Sequence, residues 1–194
     1  MSYLFRPRAD AVPFITMYTS FFALPTVFSI GMHIRTGDTS MHSAKADAIN
    51  TVERHRPFFR CAEQVARRFA KPGQKVIYLL MSDSNTLKAD ARSRLADRVI
   101  LTGDSSRHMD KHEHEASERL IGGFSDVEMD ASIDLMSGLQ VFAQTDVKII
   151  TEWSGFGKIG ARCFVHQLQP KPRSYPWQVL CGARATPQLS HSCP

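Results

Sequence analysis

Short apolar runs that end in polar turns alternate with longer amphipathic stretches along most of this chain. The apolar runs cover residues 27–35, 76–81, 99–102 and 147–151. Runs this short and without strict polar alternation are typical of strands buried on both faces of a parallel sheet. The stretches between them place apolar residues three and four positions apart, as amphipathic helices do. This order predicts an α/β fold, a doubly wound parallel sheet with helices on both faces.

Four helices complete the alternation. They are predicted over residues 47–71, 85–96, 131–144 and 158–167. The first is expected to be long, bent near Pro57 and closed by Pro72 and Gly73, whereas Asn85 is expected to cap the second. The polar segment 108–128 is expected to be an irregular surface excursion.

Length and composition limit the number of domains and the class of partner. At 194 residues the chain has the length of one domain, and its net charge of +5 favours anionic partners without choosing among them. The predicted organisation is an N-terminal segment over 1–26, the sheet domain over 27–168, and a proline-rich tail over 169–194 that is extended or disordered. A nucleic-acid-binding module is disfavoured because no basic stripe is interleaved with aromatic residues.

The cysteines and the uncharged stretch 11–32 each leave two alternatives. Cys61 and Cys163 are expected to be buried free thiols, although four cysteines also suit a secretory compartment weakly. The uncharged stretch is long enough for a membrane span, but Pro13 and Pro25 divide it and its last residues are typical of a strand. A span is therefore disfavoured, and membrane association stays open.

Polar or glycine-bearing turns follow the predicted strands, where ligands of parallel α/β sheets bind. These turns are Arg35-Thr36-Gly37-Asp38, Ser82-Asp83-Ser84 and 152–156. His33 and Arg35 alternate along one strand, so their side chains share a face, and an arginine there can bind phosphate oxygens with two donors. The alternative for Arg35 is a surface ion pair.

These motifs resemble a known family. Residues 30–38 (IGMHIRTGD) are similar to the first motif of the GDP-fucose-dependent fucosyltransferases of GT-B fold, which include the α1,6-fucosyltransferases and the protein O-fucosyltransferases. Residues 76–84 and 99–103 resemble the second and third strands of that family, and 133–137 with 146–156 its last motif. The resemblance covers about residues 27–166 and implies a Rossmann-like domain, one half of a GT-B enzyme.

The resemblance implies a donor site for GDP-fucose. Arg35 would bind the β-phosphate and assist catalysis, His33 and Asp134 would lie at the guanine, and Ser154 with the amide of Gly155 would hold phosphate. Asp83 and Phe156 are further candidates for substrate binding. The alternatives are a solvated helix carboxylate for Asp134, a helix cap for Ser154, a turn residue for Asp83 and a core aromatic for Phe156.

Two departures from the family concern catalysis. Residues 40–44 hold no carboxylate where the α1,6 branch has its base, so the base is unassigned, with His42 and Asp47 as weak substitutes. The acceptor-binding half of a GT-B enzyme is also missing, which leaves a non-catalytic GDP-sugar-binding domain as the alternative to a transferase acting on a glycan or protein hydroxyl. No metal cofactor is expected, because the histidines of 107–115 lack ligand spacing. The family places its members in the endoplasmic reticulum or Golgi lumen.

Overall fold

The computed structural model describes residues 9–37, 39–40, 43–101, 126–151, 154, 155, 157, 158, 177–180 and 188–190, with side chains except in 126–134, 177–180 and 188–190. The strands are β1 (Val27–Ile34), β2 (Lys75–Ser82), β3 (Val99–Leu101), β4 (Val147–Ile150), β5 (Trp177–Leu180) and β6 (Gln188–Ser190). The helices are α1 (Val12–Ala23), α2 (Ala44–Asp47), α3 (Arg56–Phe69), α4 (Asn85–Leu95) and α5 (Asp126–Ala143), with a 3₁₀ turn over Ala96–Arg98.

The strands form one sheet in the order β3-β2-β1-β4-β5-β6. All neighbours are parallel except β5 and β6, which pair antiparallel. From β1 the chain winds outward to β2 and β3 on one side, and β4 then joins β1 on the other side. The predicted doubly wound parallel sheet is confirmed. Its switch point, where ligands of such folds bind, lies between the carboxyl ends of β1 and β4.

Helices cover both faces of the sheet, and β1 contributes to both cores. Its Phe28, Ile30 and neighbours at the same parity pack with α3 and α4, whereas Val27 packs with α1 and α5 on the other face. Gly31 lies on this second face, where a Cβ atom would come within 2.6 Å of Thr145 Oγ1 and 2.7 Å of the Phe142 ring. The absence of a side chain there therefore lets the end of α5 approach the sheet closely.

The first long helix differs from the prediction of a single element over 47–71. α3 begins at Arg56 with Pro57 in its first turn, and only the four-residue α2 lies upstream. Proline has no backbone N–H and disfavours a helical residue before it, so it begins the helix instead of bending it. Ser84, not Asn85, caps α4, because its Oγ accepts from the backbone N–H of Leu87 at 3.0 Å.

The uncharged stretch near the start divides between a helix and a strand. Pro13 stands in the first turn of α1, which ends before Pro25, and β1 follows at once. The end of the stretch is a strand, as its composition predicts. Within the described part of the chain, no helix is long and apolar enough to cross a membrane.

The sheet continues past residue 168, and the prediction for Cys61 needs correction. β5 and β6 lie within 169–194, the predicted extended or disordered tail, which is extended at these two strands. Cys61 is buried as predicted but is disulfide-bonded and not a free thiol. The other three cysteines lie outside the described residues, as do most of the predicted surface excursion and the predicted last helix.

Candidate functional site

The motif around Arg35 lies at the switch point, where β1 leaves the sheet. Thr151, directly after β4, ties the two strands together there. Its Oγ1 donates to the carbonyl oxygen of His33 at 3.2 Å and accepts from the backbone N–H of Arg35 at 3.0 Å. A second bond joins the Thr151 N–H to the same carbonyl at 3.1 Å. One hydroxyl thus positions the backbone of the arginine, a role that the sequence alone did not reveal.

Asp83, after β2, organises the loop that carries Arg35. Its Oδ1 accepts from the backbone N–H and the hydroxyl of Thr36 at 2.8 and 2.9 Å, and its Oδ2 accepts from the N–H of Gly37 at 3.3 Å. Gly37 has φ of +107°, which favours glycine. The carboxylate is 6% exposed, so these donors replace water. Asp83 thus contacts the loop itself, whether or not it also contacts a substrate.

The guanidinium of Arg35 is paired with Asp83. Nη1 lies 3.3 Å from Asp83 Oδ2, and the arginine side chain is 36% exposed while the carboxylate is 6% exposed. The ion pair considered as the alternative for Arg35 is therefore present. It also orients the planar guanidinium, because Asp83 is itself held by three donors of the loop.

His33 lies deeper in the same edge. Its ring makes an edge contact with Phe142, with centroids 6.3 Å apart, and a Cβ atom on Gly157 would come within 2.9 Å of its Nδ1. Burial lowers the pKa of His33 to about 4, with Asp83 raising it and Arg35 lowering it. The imidazole is therefore neutral at physiological pH. Its ring acts as a neutral donor or acceptor, not as a second cation beside Arg35.

Two acidic residues hold the loop that follows Arg35. Asp47 accepts from the hydroxyls of Ser84 and Thr86 and from the backbone N–H of Thr86. Burial raises the pKa of Asp47, but the bonds from Ser84 and Thr86 outweigh it and leave the pKa lowered. Asp90 accepts from the N–H of Val52 at 2.8 Å. Asp47 thus acts as a loop anchor, which makes it a poor proton acceptor.

Asn50 links further polar groups within this loop. Its side chain is 3% exposed, and its Nδ2 donates to Ser40 Oγ at 2.9 Å. Its Oδ1 lies 3.1 Å from Nε2 of His55, and burial lowers the pKa of that histidine. His42, the other substitute for the base, lies outside the described residues. The loop is therefore ordered by internal hydrogen bonds, and Asp47, one of the two substitutes for the base, is engaged in them.

The turn after β4 carries the predicted phosphate-binding residues. Ser154 is 7% exposed, and its Oγ accepts from the backbone N–H of Gly157 at 3.1 Å, which is the geometry of a helix cap. Gly155 is exposed, with no atom near the position of a Cβ. Ser154 is therefore the helix cap considered as its alternative, and its turn follows β4 at the same edge of the sheet as Arg35.

Two of the predicted ligands cannot be placed against these groups. Asp134 lies in α5, but its side chain is outside the described residues, and so is Phe156 entirely. In the portion of the chain that the structure describes, no three His, Cys, Asp or Glu side chains are grouped as a metal site would require. The histidine-rich segment 107–115 is outside that portion. The described groups that converge are thus Arg35, Asp83, His33 and the Ser154 turn.

An edge of this kind, at the switch point of a sheet of this order, is the ligand-binding edge of a Rossmann-like α/β domain. The chain is similar to two crystal structures of NodZ α1,6-fucosyltransferase, one co-crystallised with GDP and one soaked with GDP-fucose. The TM-scores are 0.52 and 0.51, and the sequence identity is 14% in both. The matches cover 94% of this chain but 47% and 48% of those chains. This chain therefore spans about half their length.

This likeness shows a fucosyltransferase-like fold, as the sequence motifs predict. No family model and no curated protein matches the sequence.

Proposed function

We propose that this chain binds a GDP-sugar at the carboxyl edge of its sheet and acts as, or within, a fucosyltransferase-like glycosyltransferase. Fucose is the proposed sugar, and a hydroxyl of a glycan or a protein is the proposed acceptor. The observation that carries the proposal is Arg35, a partly exposed arginine that Asp83 holds at the switch point of the sheet. Solved structures of similar fold contain GDP or were soaked with GDP-fucose, which supports this choice of nucleotide.

Arg35 has a specific task in such a transfer. The acceptor oxygen forms a bond to the anomeric carbon of the sugar from the face opposite the diphosphate, and the bond between that carbon and the phosphate oxygen breaks. The departing diphosphate gains negative charge, which a positioned guanidinium stabilises more than it stabilises the bound donor. The acceptor proton passes to a base that we leave unassigned, because Asp47 is occupied by Ser84 and Thr86.

The remaining predicted ligands have complementary tasks. His33 and Asp134 are proposed at the guanine. A carboxylate there accepts hydrogen bonds from N–H donors of guanine that adenine lacks. Ser154 and the amide of Gly155 are proposed at phosphate, and Phe156 beneath the nucleotide. Asp83 is proposed to position Arg35, because both of its carboxylate oxygens already accept hydrogen bonds from the loop. No metal is included in the proposed transfer.

Calorimetric titration with GDP tests the donor site. We expect Arg35→Ala to weaken GDP binding roughly tenfold to hundredfold, the loss of about 1.5–3 kcal/mol typical of a hydrogen bond to a charged group. Arg54→Ala is the matched control, because Arg54 is an exposed arginine in the loop after β1. Equal affinities for wild type and Arg35→Ala would refute the role given to Arg35.

A non-catalytic GDP-sugar-binding domain is the second candidate. It is favoured by the missing carboxylate in residues 40–44. Release of fucose from GDP-fucose, measured with and without glycan and peptide acceptors, separates the two. Turnover that Arg35→Ala abolishes supports the transferase, and tight GDP binding without turnover supports the binding domain.

We propose the endoplasmic reticulum or Golgi lumen as the compartment. The disulfide at Cys61 supports it, because protein disulfides persist in oxidising compartments and are rare in the cytosol. Protease protection of the tagged chain in intact microsomes is the expected result. Digestion without detergent would contradict a lumenal location.

A further inference from the structure

The positive charge of the chain is concentrated in one part of its fold. Residues 54–98 carry eleven Lys and Arg residues and four Asp and Glu residues, a net charge of +7 when the whole chain has +5. This segment comprises α3, β2, α4 and the 3₁₀ turn, and its two helices pack on the same face of the sheet. The rest of the chain is therefore slightly acidic, and the basic residues share one side.

Most of these cations gather at the amino edge of the sheet, opposite Arg35. α3 and α4 connect parallel strands, so each runs back from the carboxyl edge and ends near the amino edge. Exposed cations occupy the last turns of both helices and the segments that follow them. We call Arg67, Arg68, Lys71, Arg92 and Arg98 the amino-edge cluster.

Tyr78 lies between the two helical units that carry the cluster. It packs in one core with residues of α3 and α4, and it pairs with Val99, the residue directly after the 3₁₀ turn. Burial raises the pKa of the Tyr78 phenol, on which Arg98, Glu63 and Arg67 also act electrostatically. Cations of both units therefore lie near this tyrosine, with the Glu63 carboxylate among them.

Neighbouring acidic residues neutralise the cluster only in part, since Glu63 acts on the same phenol as two of its arginines and Asp97 acts on Arg98. Asp90 pairs with Arg94, and Asp97 pairs with Lys75, both outside the cluster. Among the described side chains, none of the five cluster residues has a carboxylate within ion-pair distance, and Arg68 lies over the Phe69 ring at 5.5 Å from its centroid. Five exposed cations thus repel one another, and binding of a polyanion relieves that repulsion.

The surface chemistry of the cluster narrows the class of polyanion. The large exposed hydrophobic side chains of the described part are Val12, Phe14, Met17, Leu24 and Ile49, and none belongs to α3, α4 or the 3₁₀ turn. Insertion into a membrane needs such side chains. Stacking of nucleic-acid bases needs exposed aromatic rings, whereas Tyr78 is buried and Phe69 is half-buried. Arginine forks match sulfate and carboxylate groups.

We propose that the amino-edge cluster binds a sulfated or carboxylated polysaccharide and so holds an acidic glycan on the enzyme. The choice of a glycan over other polyanions rests on the proposed function, because a glycosyltransferase acts on sugars. The length of α3, 14 residues, separates the cluster from the Arg35 edge by about 20 Å. The surface is thus distinct from the donor site, and a polysaccharide chain is long enough to span both.

Fluorescence anisotropy with a labelled heparin octasaccharide tests the cluster. We expect Arg67→Ala/Arg68→Ala/Arg98→Ala to weaken binding at least ~10-fold at about 0.1 M salt and to reduce the salt slope by roughly one per lost contact. Lys45→Ala/Arg54→Ala/Arg56→Ala is the matched control. It removes the same charge from exposed residues between β1 and the start of α3, and it is expected to change affinity less than ~2-fold.

Three results would overturn the proposal. The first is equal weakening by both triple variants, which would show that net charge alone acts. The others are no binding of heparin by wild type, and tighter binding to phosphatidylserine vesicles, duplex DNA or polyglutamate than to heparin. GDP titration of the cluster variant separates the two proposals, because its GDP affinity is expected to equal that of wild type. Failure of wild type to bind GDP would overturn the proposed function and leave the heparin result standing.

Discussion

The two edges of the sheet handle charge in opposite ways. At the carboxyl edge Asp83 and Asp47 each accept several hydrogen bonds, and Arg35 is oriented against one of them. At the amino edge Arg67 and Arg98 are exposed, with no carboxylate partner among the described side chains. Charges held by many bonds define a rigid geometry, which suits a small ligand, whereas exposed long side chains suit a polyanion of variable shape.

Side-chain acceptors order the loop at the carboxyl edge. They accept hydrogen bonds from the backbone N–H groups of Thr36, Gly37 and Val52. Removing one partner of a buried hydrogen bond costs more free energy of unfolding than removing one partner of an exposed pair. Substitutions at the carboxyl edge are therefore expected to lower the free energy of unfolding much more than substitutions at the amino edge.

The largest effect is expected at Asp83. Asp83→Ala leaves the N–H groups of Thr36 and Gly37, the Thr36 hydroxyl and the Arg35 guanidinium without their acceptor, at a cost of about 2–4 kcal/mol. Urea denaturation followed by circular dichroism measures it. Asp97→Ala, which removes an exposed pair at the amino edge, is the control and is expected to leave the midpoint nearly unchanged. Equal midpoints for the two variants would break the comparison.

Acid should destabilise the carboxyl edge through His33. Its pKa is about 4 in the folded protein and 6.5 for an exposed histidine, so the unfolded chain binds more protons between these pH values. The folded state therefore loses about 2 kcal/mol as the pH falls from 7 to 5, and the loss levels off below about 4.

The measurement is the urea midpoint of wild type and His33→Gln at both pH values. The variant removes this titration while the other groups, including His55 with its lowered pKa, remain in both proteins. The difference between the two pH slopes thus isolates His33. Parallel slopes would mean that the His33 imidazole is not buried as described.

A smaller effect is expected from the glycines of the Ser154 turn. In Gly157→Ala the new Cβ meets His33 Nδ1 at 2.9 Å and Cγ at 3.2 Å, so the ring must shift, at a cost of about 1–2 kcal/mol. Gly155→Ala is the matched control, because nothing lies within 4 Å of its Cβ position. Thermal unfolding of the two variants compares them. The comparison fails if Gly155→Ala is the more destabilised.

The smallest effect on stability is expected from the amino-edge cluster. Arg67→Ala/Arg68→Ala/Arg98→Ala removes exposed side chains, so the free energy of unfolding should change by less than about 0.5 kcal/mol per substitution. Relief of repulsion even allows a slight gain at low salt. Urea denaturation in low and in high salt checks this. A loss as large as that of Asp83→Ala would show that the amino edge is held as firmly as the carboxyl edge.

The sequence by itself determined the parallel sheet, the four strands through residue 151 and the place of Arg35. Buried parallel strands are continuous apolar runs, and ligands of such sheets bind where those runs end, so local patterns sufficed. The same patterns failed at Pro57, because periodicity of apolar residues continued through a segment that proline divides. They also failed at β5 and β6, where two short strands lie among prolines and few apolar clusters.

Only the tertiary structure decided which residues hold the site together. Asp83 accepts from residues 46 and 47 positions away along the chain, and Asp47 accepts from residues 37 and 39 positions away. Hydrogen-bond partners so distant depend on the packing of helices on the sheet, which no local pattern encodes. The sequence therefore located Arg35, and the fold decided that Asp83 and Thr151 position it.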